Sequence, residues 1–264
     1  MKKIFIVLVI MCLASVYSCN TKQEKSITTS DSTQVLSPSE NLVRFFLKYK
    51  SYDANEVKEQ MLIEKRDAEL KNMMDSVGVF NNLEASINDI NVQNLDNGIK
   101  LLSYTLSIFD TQSETEVWED STYMGFIELR CTHLIKSKDN YFLGKIAEIP
   151  DFSNVYIDGI FAVDNKTNTP KLLDDVSQLI HPSYIFHVTD ISTKELNPIS
   201  NNLKDAILAG RKVFDYTFMG KGNFDKKTND ELVKKFEQAK TGLNQKDSLY
   251  LIRYMNEIML DSPY

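Results

Sequence analysis

His133 and Cys131 are the side chains best equipped for acid–base or nucleophilic chemistry in this chain, and a single threonine separates them. An imidazole titrates near neutral pH, and a thiolate is a strong nucleophile. Both residues sit in Ile127-Glu128-Leu129-Arg130-Cys131-Thr132-His133-Leu134-Ile135, where apolar and polar residues alternate. That period puts them on one strand face with Ile127, Leu129 and Ile135. A Cys–His pair works only where the base reaches the thiol, which favours neighbours across strands over neighbours along one. Burial also raises a thiol's pKa and blunts it. The pattern predicts a packed histidine, bonded to a backbone carbonyl, and an inert cysteine. His181 and His187 are scattered, so no catalytic residue, metal site or cofactor is assigned.

The only tryptophan, Trp118, stands in Asp110-Thr111-Gln112-Ser113-Glu114-Thr115-Glu116-Val117-Trp118-Glu119-Asp120. An exposed indole beside Glu116, Glu119 and Asp120 could hold a sugar, the ring stacking on the pyranose face while carboxylates take the hydroxyls. Two carboxylates at a suitable separation could also hydrolyse a glycosidic bond. The plainer alternative is a strand start, with Trp118 packed inward and the acids solvated. The segment lacks the regular spacing and glycine of a calcium loop. Gly220-Lys221-Gly222 follows a helical stretch rather than a strand and reads as a connecting loop, not a phosphate cradle. No His-Glu-x-x-His, Gly-x-Ser-x-Gly, Walker or Cys-x-x-Cys motif occurs.

The elements that must position these residues are legible from periodicity. Ser37-Pro38-Ser39-Glu40 is a capping box for a short helix with Leu42, Phe45, Phe46 and Tyr49 on one face. Asp53-Ala54-Asn55-Glu56 opens a second helix reaching roughly Val77. The charged run Glu64–Lys71 in its middle reads as a solvated face. Alternation then predicts strands over Leu83–Val92, Leu102–Ile108, Ile127–Ile135, Tyr141–Ile149, Val155–Val163 and Tyr184–Thr189. Short connections make this an antiparallel sheet of about six strands. Helical period returns after Asn197-Pro198, with caps predicted at Thr228 and at Asp247 or Ser248. The fold class expected is α+β: an N-terminal helix pair, a central antiparallel sheet and C-terminal helices.

The formal net charge is −7. That balance argues against nonspecific nucleic-acid binding, which requires a cationic surface. With only three cysteines, and Cys12 and Cys19 near the start, Cys131 has no internal disulfide partner in a processed chain. A hydrophobic core must hold the fold, and 42% hydrophobic residues suffice.

The start of the chain carries an address. Met1-Lys2-Lys3 is cationic, Ile4–Val16 is apolar but too short to span a bilayer, and Val16-Tyr17-Ser18-Cys19 precedes a polar run. This segment resembles the signal peptide and lipobox of Bacteroides-type bacterial lipoproteins. The resemblance implies cleavage after residue 18, acylation of Cys19, and attachment to the outer membrane by lipid. Because Lys22 and Lys25 interrupt any acidic run behind the cysteine, it further implies a body facing the periplasm. Cleavage removes two lysines and no acid, moving the charge from −7 to −9. Residues 19–37 then form a flexible tether spanning about 20–25 Å. Asp31-Ser32-Thr33, within it, resembles the O-glycosylation acceptor of such proteins and nominates Ser32. The remainder divides into 38–192, the helix pair with the sheet, and 193–264, helical. The function expected is a non-catalytic envelope lipoprotein with a binding or scaffold role and a glycan or envelope protein as partner. The alternative is glycan binding or hydrolysis through the Trp118 acidic loop.

Overall fold

Ser37 accepts from the Glu40 amide while Glu40 accepts from the Ser37 amide, so the predicted capping box starts helix α1, Pro38–Leu47. The computed structural model describes residues 36–109, 127–136, 141–164, 166–173, 179–219 and 224–259. All of them fall in one unit, Leu36–Tyr264. Helix α2, Glu56–Val77, is capped by Asn55 rather than Asp53. The helix pair therefore begins well inside the chain and is not an N-terminal element. Its charged middle is not wholly solvated. Arg66 and Asp67 are buried and paired at 2.9 Å, with Tyr184 OH donating to Asp67 at 2.8 Å.

The strands are β1 (Phe80–Asn94), β2 (Lys100–Ile108), β3 (Ile127–Ile135), β4 (Ser153–Phe161) and β5 (Ser183–Ser192). The α+β class is as expected, but the sheet has five strands closed into a barrel in the order β1-β2-β3-β5-β4. It is also not purely antiparallel, since β3 and β5 run parallel over Glu128–Arg130 and Ser183–Ile185. The predicted strand Tyr141–Ile149 is instead helix α3, Tyr141–Ile146. Phe142 and Ile146, its buried residues, lie four apart, a spacing that shares a face in a helix and in a strand alike, so alternation alone misassigns the segment. Helix α3 thus stands between β3 and β4 of a closed five-stranded barrel.

Closure depends on β1, which pairs with β4 through Phe80–Ile87 and with β2 through Ser86–Asn94. Serving two neighbours requires bending. Register shifts at Phe80/Leu83 and Asn88/Asn91 coincide with positive φ at Asn82 (60°) and Asp89 (56°). Such bulges bend and twist a strand, which lets one sheet close on itself. Side chains including Leu83, Ile87, Leu102, Leu106, Leu129, Ile157 and Phe186 fill the interior without measurable exposure. Gly159 leaves room for the Phe186 ring, because a Cβ there would lie 2.3 Å from its Cε1.

Three further helices pack outside: α4 (Asn201–Phe214), α5 (Lys226–Lys240) and α6 (Gln245–Ile258). Helix α4 continues into a π turn, Asp215–Met219. The last two helices start earlier than predicted, capped by Asp225 and Asn244 instead of Thr228 and Asp247. Helix α6 docks on β5, with Leu251, Tyr254 and Ile258 inward as expected and Tyr250 buried beside them. No described helix is long and apolar enough to cross a membrane.

Candidate functional site

The acid–base residues of β3 point into the barrel. Cys131 is 1% exposed, its Sγ 3.6 Å from the Leu129 carbonyl oxygen, and burial pushes its thiol pKa well up. His133 is equally enclosed, but it is not bonded to a carbonyl as the sequence predicts. Its Nδ1 donates to Glu257 Oε1 at 3.0 Å, leaving Nε2 to accept from Tyr104 OH at 2.8 Å. The Phe142 ring lies flat against the imidazole, centroids 3.9 Å apart. Glu257, from α6, reaches the wedge where β3 and β5 diverge, and its Oε2 stands 4.0 Å from His187 Nδ1. Buried charge and hydrogen-bonding partners here hold α6 onto the barrel. Burial also keeps the Tyr104 hydroxyl protonated by raising its pKa well above the ordinary value. A relay without surface access fits a packing role.

A second polar cluster docks the same helix. Asp158 Oδ1 accepts from Asn81 Nδ2 at 2.6 Å and the Asn82 amide at 2.8 Å. Its Oδ2 accepts from Tyr250 OH at 3.1 Å, and that hydroxyl pairs with Thr189 Oγ1 at 2.8 Å. Desolvation raises the Asp158 pKa to about 6 against the pull of these donors. Nearby, Asp190 accepts from Tyr141 OH at 2.7 Å and from Lys145 Nζ.

Among the described residues, one surface open to a ligand is the outer face of β1, β2 and β3. A depression of about 560 Å³ is lined by Asp89, Asn91, Ser103, Thr105, Arg130 and Thr132, with Glu128 at one end. Register explains the composition. Asn91, Ser103 and Thr132 form one row across the strands; Asn88, Thr105 and Arg130 the next; Ser86, Ser107 and Glu128 a third. Residues paired in register share a face, so hydroxyls and amides are stacked in ranks. Asp89 joins them because of the bulge. With Ile90 it opposes Tyr104 alone, and its left-handed φ gives the exposed carboxylate a place on this face. The Asn88 Oδ1 atom is enclosed and accepts no hydrogen bond from any described group. The alternation of β2 signalled a wet strand face. Nothing in the sequence announced that Asp89 would bulge or that three strands would set their polar sides together.

Trp118, Glu116, Glu119 and Asp120 lie outside the described residues, as do Cys19, Ser32 and Gly220-Lys221-Gly222. Of the other histidines, His187 is buried beside Glu257 while His181 is exposed. No group of three His, Cys, Asp or Glu side chains among the described residues could hold a metal ion. The chain matches no protein-family model, no curated protein and no solved structure.

Proposed function

We propose that this protein is a non-catalytic lipoprotein of the cell envelope, anchored to the outer membrane through Cys19 and facing the periplasm. It binds a polar ligand on the outer face of β1–β3. The observation that carries this reading is the division of chemistry between the two sides of the barrel wall. Groups that could transfer protons or attack, His133 and Cys131, are sealed inside, whereas the depression outside offers hydroxyls, amides and a few charges. Such groups bind by hydrogen bonding. The negative net charge favours sugars or peptides over nucleic acid. Glycan handling is the second reading, because the chain joining β2 to β3 carries Trp118, Glu116, Glu119 and Asp120.

Two measurements test it. Full-length protein from bacterial membranes should enter the detergent phase on phase separation, and Cys19→Ser protein should stay in water; equal partitioning would remove the anchor. The detergent-solubilised protein should gain thermal stability with a glycan or peptidoglycan fragment. Thr105→Arg, which obstructs the middle rank of the face, should abolish the gain. A gain that survives Thr105→Arg would place binding elsewhere, and its loss in Trp118→Ala alone would favour the acidic segment.

A further inference from the structure

The charges on the β1–β3 face define what it would hold, if that face binds as proposed above. Arg130 is exposed on β3, and no hydrogen bond or ion pair involves its guanidinium among the described residues. Asp89 and Glu128 line the same depression, yet neither comes within ion-pairing distance of Arg130 or of any other described cation. Surface charges of opposite sign set close together commonly satisfy one another; here both signs are left available. Asp89 stands on β1 and Arg130 on β3, with β2 between them, so their strands are about 10 Å apart. Thr105 and Ser103 of β2 form the floor between. Asn88 Oδ1, an enclosed acceptor without a donor, sits in the same rank as Thr105 and Arg130.

We infer that the depression selects a short zwitterionic peptide, its ammonium taken by Asp89 and its carboxylate by Arg130. A guanidinium suits a carboxylate because its planar fork can donate two parallel hydrogen bonds. The aspartate is suited to an ammonium by charge, and its bulge holds it in place. The peptide unit between lies over the hydroxyls of Ser103 and Thr105, which line the depression. Glu128, at the end of the depression on the Arg130 strand, discourages a second carboxylate.

Calorimetric titration of the full-length, detergent-solubilised protein decides the matter with four probes: L-alanyl-L-alanine, D-alanyl-D-alanine, and the N-acetylated and C-amidated forms of whichever binds. Each capped form should bind about tenfold more weakly, the cost of one charge-assisted hydrogen bond. Asp89→Asn should erase the penalty for N-acetylation and leave that for amidation. Arg130→Gln should do the reverse. Asparagine tolerates the same left-handed backbone, so Asp89→Asn keeps the bulge. Preference for the D-peptide points to a cell-wall stem as the source, and preference for the L-peptide to an ordinary protein fragment. Equal binding of capped and uncapped peptides, abolished by Thr105→Arg, would overturn the zwitterion inference and leave the face as the binding site. Binding of a glycan or peptidoglycan fragment unaffected by Thr105→Arg would overturn the face itself. If the face binds a glycan and none of the peptides, the inference fails while the reading it rests on stands.

Discussion

At the scale of single residues, Asp158 is a carboxyl whose surroundings move its titration toward neutral pH. Its pKa, about 6 in the folded protein against an ordinary value of 3.8, means that the native state holds the proton more tightly than the unfolded chain. The sign follows. Above pH 6 the buried carboxylate destabilises the fold; protonation relieves this as pH falls through 6, and the relief is complete near 4. A shift of this size corresponds to about 3 kcal/mol. Asp158→Asn can keep both arms of the site, its oxygen toward Asn81 and Asn82 and its amide toward the Tyr250 oxygen. Urea unfolding should find the variant more stable than the parent at pH 7, with the gap narrowing by about 2 kcal/mol at pH 4.5. A pH-independent gap would refute the buried carboxylate. Glu257 is the complementary case. It was not singled out from the sequence, although it stands three residues after Tyr254 and seven after Tyr250, on the inward stripe of α6.

Individual elements show where local pattern is a sufficient guide. The alternation of Ile127–Ile135 set its strand limits and its buried face, because a strand with one wet side must place every second residue inward. Ser37 started its helix for an equally local reason, orphaned amides near a serine oxygen. Tyr141–Ile146 failed as a strand because six residues hold too few periods to separate the two patterns, and the barrel's need for a plug against His133 decided the outcome. Gly159 tests how tightly β4 and β5 are fitted. A Cβ would lie 2.4 Å from the His187 carbonyl oxygen as well as against Phe186, and neither backbone nor packed ring can yield cheaply. Gly159→Ala should therefore cost more than about 3 kcal/mol in chemical denaturation, or prevent folding. A cost under about 1 kcal/mol would show that β4 and β5 can separate at this point.

For the whole molecule, the decisive event is closure. Parallel pairing of β3 and β5 covers only three residues on each strand before the two diverge. The wedge beyond is filled by Phe142 from α3 and by Glu257 from α6. Helix α6 is thus part of the barrel wall, and a chain ending at Asn244 should not retain a packed interior. It should bind a hydrophobic dye, lose near-ultraviolet circular dichroism and unfold without cooperativity. A truncated chain with native near-ultraviolet signal and a sharp transition would make α6 an accessory.

The sequence by itself determined the α+β class, the first helix cap, the inward side of β3 and the negative net charge. Each depends on contacts within a few residues, or on composition, and needs no knowledge of neighbours. Tertiary structure decided that five strands close rather than six lie open, that one pair is parallel, and that His133 meets Glu257 across 124 residues. It also decided that Asp89 turns outward to share a face with Arg130. These outcomes come from register, bulges and interior packing. Their free energy is realised only when distant segments meet, and no local pattern of residues records it.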